Sequence, residues 1–250
     1  MPEFDELWQG GPRFKHSKGC FKLSTDSVLL SAFANADRAK RCLDLGSGAG
    51  VLCVLLGWDR AQLEMTGIEI QEDFAALSRE NLSVNGMDAA KIICGDLREH
   101  RSLIAAESFD LVVSNPPYFA ENSGFSAPNA QRATAREERD CTLEDICAAA
   151  RWALRWGGSF ALVHRPERLS EIFCSMTVAG IEPKRLRMVC HSAEKAPSLV
   201  LVEGRRGGKK GLVIEPPLIL TDETGGDSDE VQRIYKRGKY RIEAAASYQE

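Results

Sequence analysis

Apolar residues between Arg41 and Glu203 fall into short runs separated by amphipathic stretches, and the two kinds alternate. Runs at Arg41–Leu45, Glu64–Ile70, Lys91–Cys94 and Phe109–Ser114 predict buried strands, each too short and too evenly apolar for a surface helix. Between them, Val51–Asp59 and Asp73–Asn85 predict helices. The second places Phe74, Leu77 and Val84 on one face and stops at Asn85-Gly86. Downstream, Leu143, Ile146, Cys147, Ala150 and Leu154 recur at helical spacing, and Gly157-Gly158 should end that helix. Ser159–His164 follows as a fifth strand. Leu169, Ile172, Phe173 and Met176 predict another helix ending before Gly180, and Arg185–His191 with Leu199–Glu203 predict an antiparallel hairpin. Strand and helix in alternation specify an α/β fold with a doubly wound, mostly parallel sheet of seven strands and helices on both faces.

Two regions fall outside this alternation. Residues 1–40 read as a strand-and-helix extension: a short strand at Cys20–Leu23, a helix start at Ser24-Thr25-Asp26, and a helix through Leu29, Ala32 and Phe33. Residues 205–250 are polar, rich in glycine and charge, and poor in apolar anchors, so the last thirty or so should be weakly packed or mobile. The 250 residues suit one large domain, 41–204, with these appendages.

Composition narrows the class. Hydrophobic residues make up 44% and charged residues 27%, with a formal net charge of −4. No global basic excess advertises nucleic-acid binding, which leaves only local patches for such a role. Eight cysteines lie mostly inside apolar segments, without a Cys-x-x-Cys pair and without a basic, apolar leader at Met1. They read as reduced core residues of a cytoplasmic enzyme, with neither a metal site nor a membrane span.

The first strand runs into Asp44-Leu45-Gly46-Ser47-Gly48-Ala49-Gly50 and then directly into a helix. Glycines there let a ligand approach the backbone. A dinucleotide fingerprint would need a further glycine at position 51, where the chain has Val51, which disfavours a nicotinamide dehydrogenase. A carboxylate at Asp44, just before the turn, suits an ammonium or sulfonium better than a pyrophosphate. Glu69 ends the second strand and can accept from ribose hydroxyls. Asp96, in Cys94-Gly95-Asp96-Leu97, ends the third and can accept from an adenine amino group. Three acids at three successive strand ends fit S-adenosylmethionine, with each acid alternatively a helix cap or a solvated loop residue.

The fourth strand ends in Ser114-Asn115-Pro116-Pro117-Tyr118. An NH2 group on a ring or amide is a poor nucleophile because its lone pair is drawn into the π-system. The Asn115 side-chain oxygen and the Pro116 carbonyl can accept from both of its hydrogens and turn the lone pair toward a methyl donor. Pro117 restricts the backbone that presents them, and Tyr118 offers a face for a planar group. Together with the glycine turn, Asn-Pro-Pro-Tyr resembles the amino-group methyltransferases. That resemblance implies a class I Rossmann-like methyltransferase domain, S-adenosylmethionine as cofactor, and an exocyclic or amide nitrogen as acceptor.

Phe21-Lys22-Leu23-Ser24-Thr25-Asp26-Ser27-Val28-Leu29-Leu30, Gln131-Arg132-Ala133-Thr134-Ala135-Arg136-Glu137, Ala196–Arg205 and Gly211–Leu218 narrow the likeness. They are similar to the tRNA(Val) adenine-37-N6 methyltransferase family over most of 14–220. The resemblance implies transfer to N6 of an adenine beside the anticodon, with tRNA as partner and with Thr25 and Asp26 walling the cofactor pocket beside Asp44, Gly46, Gly48, Gly50, Glu69, Asp96, Leu97 and Asn115. Arg132 and Arg136 could bind phosphate near the target base, or pair with Glu137 and Glu138 instead. Arg205, Arg206, Lys209 and Lys210 could follow an RNA backbone, or be solvated surface. Protein-glutamine and ribosomal RNA guanine methyltransferases share the motif; the former generally carry a helical N-terminal domain, against about 40 residues before the sheet here. A non-catalytic RNA-binding scaffold is the reading outside enzymology.

Overall fold

The structure, a computed structural model, describes residues 4–15, 24–58, 60–117 and 141–235. In chain order the elements are β1 (Phe4–Glu6), β2 (Arg13–Lys15), α1 (Thr25–Phe33), β3 (Arg41–Leu45), α2 (Val51–Gly57), β4 (Glu64–Glu69), α3 (Glu72–Val84), β5 (Lys91–Cys94), α4 (His100–Leu103) and β6 (Phe109–Ser114). They continue with α5 (Leu143–Ala153), β7 (Leu154–His164), α6 (Leu169–Val178), β8 (Ile181–Cys190), β9 (Pro197–Arg206), β10 (Val213–Ile214), β11 (Leu218–Ile219) and α7 (Asp229–Tyr235). The large sheet has the order β10-β8-β9-β7-β6-β3-β4-β5, with β11 also on β8. Pairing is parallel from β7 to β5, and β9 runs antiparallel to both β7 and β8. The seven predicted strands are present, and β10 and β11 are additions to them.

Side chains alternate along each strand, so consecutive residues serve opposite faces. Cys42, Leu111, Val113, Ala161, Val163, Leu199 and Leu201 pack with α1 and α2 in one core. Leu43, Leu45, Val112, Phe160, Leu162, Val200 and Val202 pack with α5 and α6 in the other. This two-sided burial explains the evenly apolar strand signal. The helices start where their caps stand: the Ser24 side chain accepts from the Asp26 amide, and Thr142 and Asp145 form a reciprocal capping box on α5.

Several details differ from expectation. The buried side of α3 is Ala75, Leu77, Ser78, Asn81 and Leu82, while Phe74 and Val84 are only half-buried. Asn81 belongs inside because its amide is used: Nδ2 donates to the Ala49 carbonyl, and Oδ1 accepts from the Lys15 amide. With Asn85, which exchanges hydrogen bonds with the Arg13 backbone, it docks the β1–β2 hairpin on the domain. The predicted strand at Cys20–Leu23 lies outside the described residues. Gly157-Gly158 does not end α5, which stops at Ala153. The pair lies inside β7, where register shifts against β6. Gly157 has φ +78°, and a Cβ on Gly158 would sit 3.0 Å from the Arg155 and Asp110 carbonyl oxygens, so the irregularity needs glycine.

The C-terminal segment is more ordered than its composition suggests, and the expectation of weak packing fails as far as Tyr235. Leu218, Val231 and Ile234 are buried. Arg185 pairs with Glu215 and Glu203, while Arg187 pairs through both Nη atoms with Glu230 and donates from Nε to the Pro216 carbonyl. The acidic stretch at Asp222–Glu230 is organised, not merely solvated: Asp222 Oδ1 accepts from Thr224 and Gly226. Of the cysteines, Cys42, Cys53, Cys147 and Cys190 are buried thiols, whereas Cys94 and Cys174 are exposed. Among the described residues no helix is long and apolar enough to cross a membrane.

Candidate functional site: a cofactor cleft beside an amine holder

From β3 the chain winds outward through β4 to β5, then returns to place β6 on the other side of β3. α2, which follows β3, packs on one face of the sheet and α5, the first described helix after β6, on the other, the arrangement in which α/β sheets bind ligands in a crevice at the strands' carboxyl ends. Asp44-Leu45-Gly46 and Ser114-Asn115 are the two strand ends at that crevice, joined by a hydrogen bond from Ser114 Oγ to the Leu45 carbonyl of 2.8 Å.

The glycine turn takes left-handed conformations at Gly46, Gly48 and Gly50, with φ of +74°, +52° and +79°. A Cβ added at Gly46 or Gly48 would meet nothing within 4 Å, which leaves a cradle facing the crevice. Gly50 has a different reason: its Cβ would lie 2.3 Å from Ser78 Oγ, so it permits α2 and α3 to pack. The amides of Gly46 and Ser47 both donate to the Ile68 carbonyl and anchor the turn to β4.

Asp44 is only 1% exposed. Its Oδ1 has no hydrogen-bond partner, and Oδ2 accepts only from Cys53 Sγ at 3.6 Å. Burial, with a smaller contribution from the nearby Glu69 charge, pushes its pKa up from 3.8 to about 7, against a lowering by the Cys53 hydrogen bond. A buried carboxyl without a cation is a site waiting for one. Glu69 is buried too, but engaged: Oε2 accepts from the Gly48 amide at 2.8 Å and Oε1 from the Gln71 amide at 2.9 Å. A carboxylate has about four acceptor positions, so hydroxyls can be added without displacing these amides. Ile70, 53% exposed immediately after Glu69, presents an apolar surface at the strand end.

Asp96 departs from the simple expectation. It caps the turn at Leu97–Glu99 by accepting from the Arg98 amide, and the Arg98 guanidinium binds both its oxygens. The Arg98 hydrogen bonds hold its carboxyl below the usual range. An adenine amino group would therefore have to share this carboxylate with Arg98, while Leu97 follows in the same turn.

Asn115 donates from Nδ2 to Ser27 Oγ at 2.9 Å. This points the opposite end of the amide, Oδ1, away from α1. Pro116 is buried and Pro117 half-buried beside it. Ser27 belongs to the first turn of α1, so Thr25 and Asp26 stand at the same corner, and Tyr235 from α7 donates to Thr25 Oγ1 at 3.4 Å. Ser27, Cys53 and Ile70 were not singled out in the sequence. Only Ser27 carried a signal, as the residue after a recognised helix start. Tyr118, Arg132 and Arg136 lie outside the described residues.

The basic run is not at this crevice. Because β9 is antiparallel, Arg205 pairs with Ser159 in the middle of β7, whereas Ser114 pairs with Leu162 near its end, so the residues after Arg205 run on toward the start of β7. Arg205, Lys209 and Lys210 are exposed at the amino ends of the parallel strands, the far side from Asn115. Arg206 is excluded from any phosphate contact: it is 4% exposed, donates to the Leu154 carbonyl and pairs with Glu107. The grouping of all four in one interface is thus corrected. Among the described residues no group of three or more His, Cys, Asp or Glu could hold a metal ion.

The donor set fits S-adenosylmethionine: a buried carboxyl with one unpaired oxygen for a cation, an open glycine cradle, a carboxylate with spare acceptor positions and an exposed apolar surface. Residues 16–179 match the methyltransferase small domain family. A tRNA1(Val) (adenine(37)-N6)-methyltransferase from Porphyromonas gingivalis is 34% identical over 195 residues, 75% of this chain and 76% of that protein. One of the same name from Tolumonas auensis is 31% identical over 183 residues, 72% and 75% of the two chains. A crystal structure described as a predicted O-methyltransferase from Agrobacterium tumefaciens shares the fold, with a TM-score of 0.70 at 21% identity, covering 85% of this chain and 96% of that one. Thermus thermophilus TrmN superposes with a TM-score of 0.52 at 17% identity, over 72% of this chain and 48% of that one. The chain is an S-adenosylmethionine-dependent methyltransferase of the methyltransferase small domain family, in the branch of the tRNA1(Val) (adenine(37)-N6)-methyltransferases.

Proposed function

We propose that this enzyme methylates N6 of adenine 37 in a valine tRNA, the substrate named for its relatives, and that it does so in the cytoplasm. The observation that carries the chemistry is the junction of Ser114 with Leu45. It sets a buried carboxyl with one unpaired oxygen and an oriented asparagine amide on neighbouring strand ends.

S-adenosylmethionine supplies an electrophilic methyl on a positively charged sulfur. Asp44 would supply negative charge for the cofactor's cationic end, the uncrowded faces of Gly46 and Gly48 would leave room for it, and Glu69 would accept from its ribose. Asp96, sharing its carboxylate with Arg98, and Leu97 would meet its adenine, and Thr25 and Asp26 would close the corner. Asn115 Oδ1 and the Pro116 carbonyl each accept one hydrogen of the acceptor NH2, which leaves the nitrogen lone pair as the only group free to turn toward the methyl. Ser27 keeps the Asn115 amide in the rotamer this requires, and Tyr118 stacks on the looped-out base. No strong base is needed, because the amine proton becomes acidic once the fourth bond has formed and then leaves to water.

The test is incubation of labelled cofactor with total tRNA, ribosomal RNA and protein, followed by nucleoside and amino-acid analysis. Label in N6-methyladenosine of tRNA is the expected result. Label in methylglutamine or N2-methylguanosine would reassign the substrate, and label in none would refute the activity.

A further inference from the structure

The far end of the sheet carries a feature that the methyl-transfer site does not use. Trp156, at the irregular start of β7, is 70% exposed, although tryptophan is among the residues most costly to leave in water. Gly207, in the turn after β9, has φ +66°. A Cβ there would lie 2.3, 2.5 and 2.6 Å from Cζ2, Cε2 and Cη2 of the Trp156 ring. Near-equal distances to three consecutive ring atoms place the glycine over the face of the indole, not at its edge. One face therefore rests on backbone, and the remaining exposure belongs chiefly to the other.

Cationic residues flank this ring along the chain and are tied to its neighbours. Arg205 donates from Nε to the Gly157 carbonyl, next to Trp156, and Lys184 donates from Nζ to the Lys209 carbonyl, two residues beyond Gly207. Arg205, Lys209 and Lys210 are exposed. The nearby acids are mostly neutralised: Glu107 by Arg206, and Asp110 by Arg155. Glu182, half-buried, stands opposite Arg205 in the β8–β9 ladder. On a chain of net charge −4, this is a locally positive surface around an open aromatic face. That combination suits an unpaired nucleotide: the base stacks on the ring and the flanking phosphates meet the lysines and arginine.

We propose that Trp156, Arg205, Lys184, Lys209 and Lys210 form a second RNA site that stacks an unpaired nucleotide of the substrate, remote from the amine holder. Asn115 lies four residue steps along the strands from the Ser159–Arg205 pair, about 13 Å at ~3.3 Å per residue, and at the opposite end of the sheet. The site rests on RNA being the substrate. It holds a part of the molecule other than the target adenine and acts on substrate capture, not on chemistry.

Two measurements test it with the full chain: affinity for a short single-stranded oligoadenylate, and steady-state methylation of tRNA. Trp156→Ala should weaken oligoadenylate binding about tenfold, the lower range for one stacked base. Trp156→Phe, which keeps an aromatic face, should recover most of that loss. Lys209→Glu with Lys210→Glu should weaken it further and flatten its salt dependence. For tRNA, the same variants should raise KM with little effect on kcat. Equal oligoadenylate affinity in the wild type, Trp156→Ala and Lys209→Glu/Lys210→Glu would overturn the proposal, as would wild-type protein failing to bind the oligonucleotide. Trp156-dependent binding by an enzyme that methylates no RNA would leave this site standing and refute the substrate assignment instead.

Discussion

Replacing Asp44 by asparagine should stabilise the protein without cofactor and weaken its hold on the cofactor, both in a pH-dependent way. The carboxyl has a folded-state pKa of about 7 against 3.8 for an exposed one, chiefly because burial disfavours its charge. A raised folded value means its favourable contribution is complete below pH 3.8 and is lost as pH rises through 7. The gap corresponds to about 4 kcal/mol at most, of which about 3 kcal/mol falls between pH 5 and 8. Asparagine has nearly the same shape and no charge, so the wild-type-minus-variant difference isolates this group from every other titration. Urea denaturation of both proteins without cofactor, at pH 5, 6, 7 and 8, should show the variant gaining on the wild type by up to that amount. Calorimetry with S-adenosylmethionine should show the reverse. Wild-type affinity should rise with pH through about 7 as Asp44 ionises. The variant should bind without that dependence and, at pH 8, about 10- to 100-fold more weakly, as expected for one charge-assisted contact of about 1.5–3 kcal/mol. A stability difference that stays flat from pH 5 to 8, or an unchanged affinity at pH 8, would refute the picture of an uncompensated carboxyl waiting for a cation.

Asn115→Ala should abolish transfer while calorimetry finds cofactor affinity nearly intact; loss of cofactor binding would contradict its assignment to the amine. Ser27→Ala should lower kcat about tenfold, the equivalent of one hydrogen bond of about 1.4 kcal/mol, while leaving cofactor affinity unchanged, and Ser27→Thr should restore part of the rate. Glu69→Ala should weaken cofactor binding by about 1–3 kcal/mol, and a constant Kd would remove Glu69 from the ribose. Arg187→Ala breaks a two-pronged pair with Glu230, whose side chains are 13% and 30% exposed. It should cost about 1–3 kcal/mol, read as a Tm lowered by roughly 2–4 °C per kcal/mol.

Much of the domain was legible because its signals are local. Leu43 and Leu45 alternate with Cys42 and Asp44 whatever the rest of the chain does, and the glycine turn must follow the strand it follows. Ser24 and Thr142 cap helices through residues two or three positions away. What escaped depends on direction and on distant partners. Arg205, Lys209 and Lys210 are legible as a basic run after a hairpin strand, but composition does not say at which end of the sheet the run falls. Arg206 looked like its neighbours but meets Glu107, 99 positions earlier in the chain. Val231, Ile234 and Tyr235 have helical spacing inside an otherwise polar segment. Val231 and Ile234 are buried in a segment that Arg185 and Arg187 tie down through Glu215 and Glu230, from a strand some thirty to forty residues upstream. Asp96 and Arg98 lie two positions apart, so their pairing is local, but the sequence does not say whether the carboxylate meets a guanidinium, a ligand or both.

The two dipeptide strands at the margin of β8 have a consequence for the behaviour of the protein among its own copies. A ten-residue strand at a sheet's rim displays a row of unpaired amides and carbonyls that invites any extended chain to join it. Val213–Ile214 and Leu218–Ile219 occupy that row at Arg185–Leu186 and Val189–Cys190, and the Pro216-Pro217 step between them cannot donate to a further strand. The tail thus covers two stretches of that row with the chain's own backbone and leaves only two-residue strands as the margin on this side of the sheet.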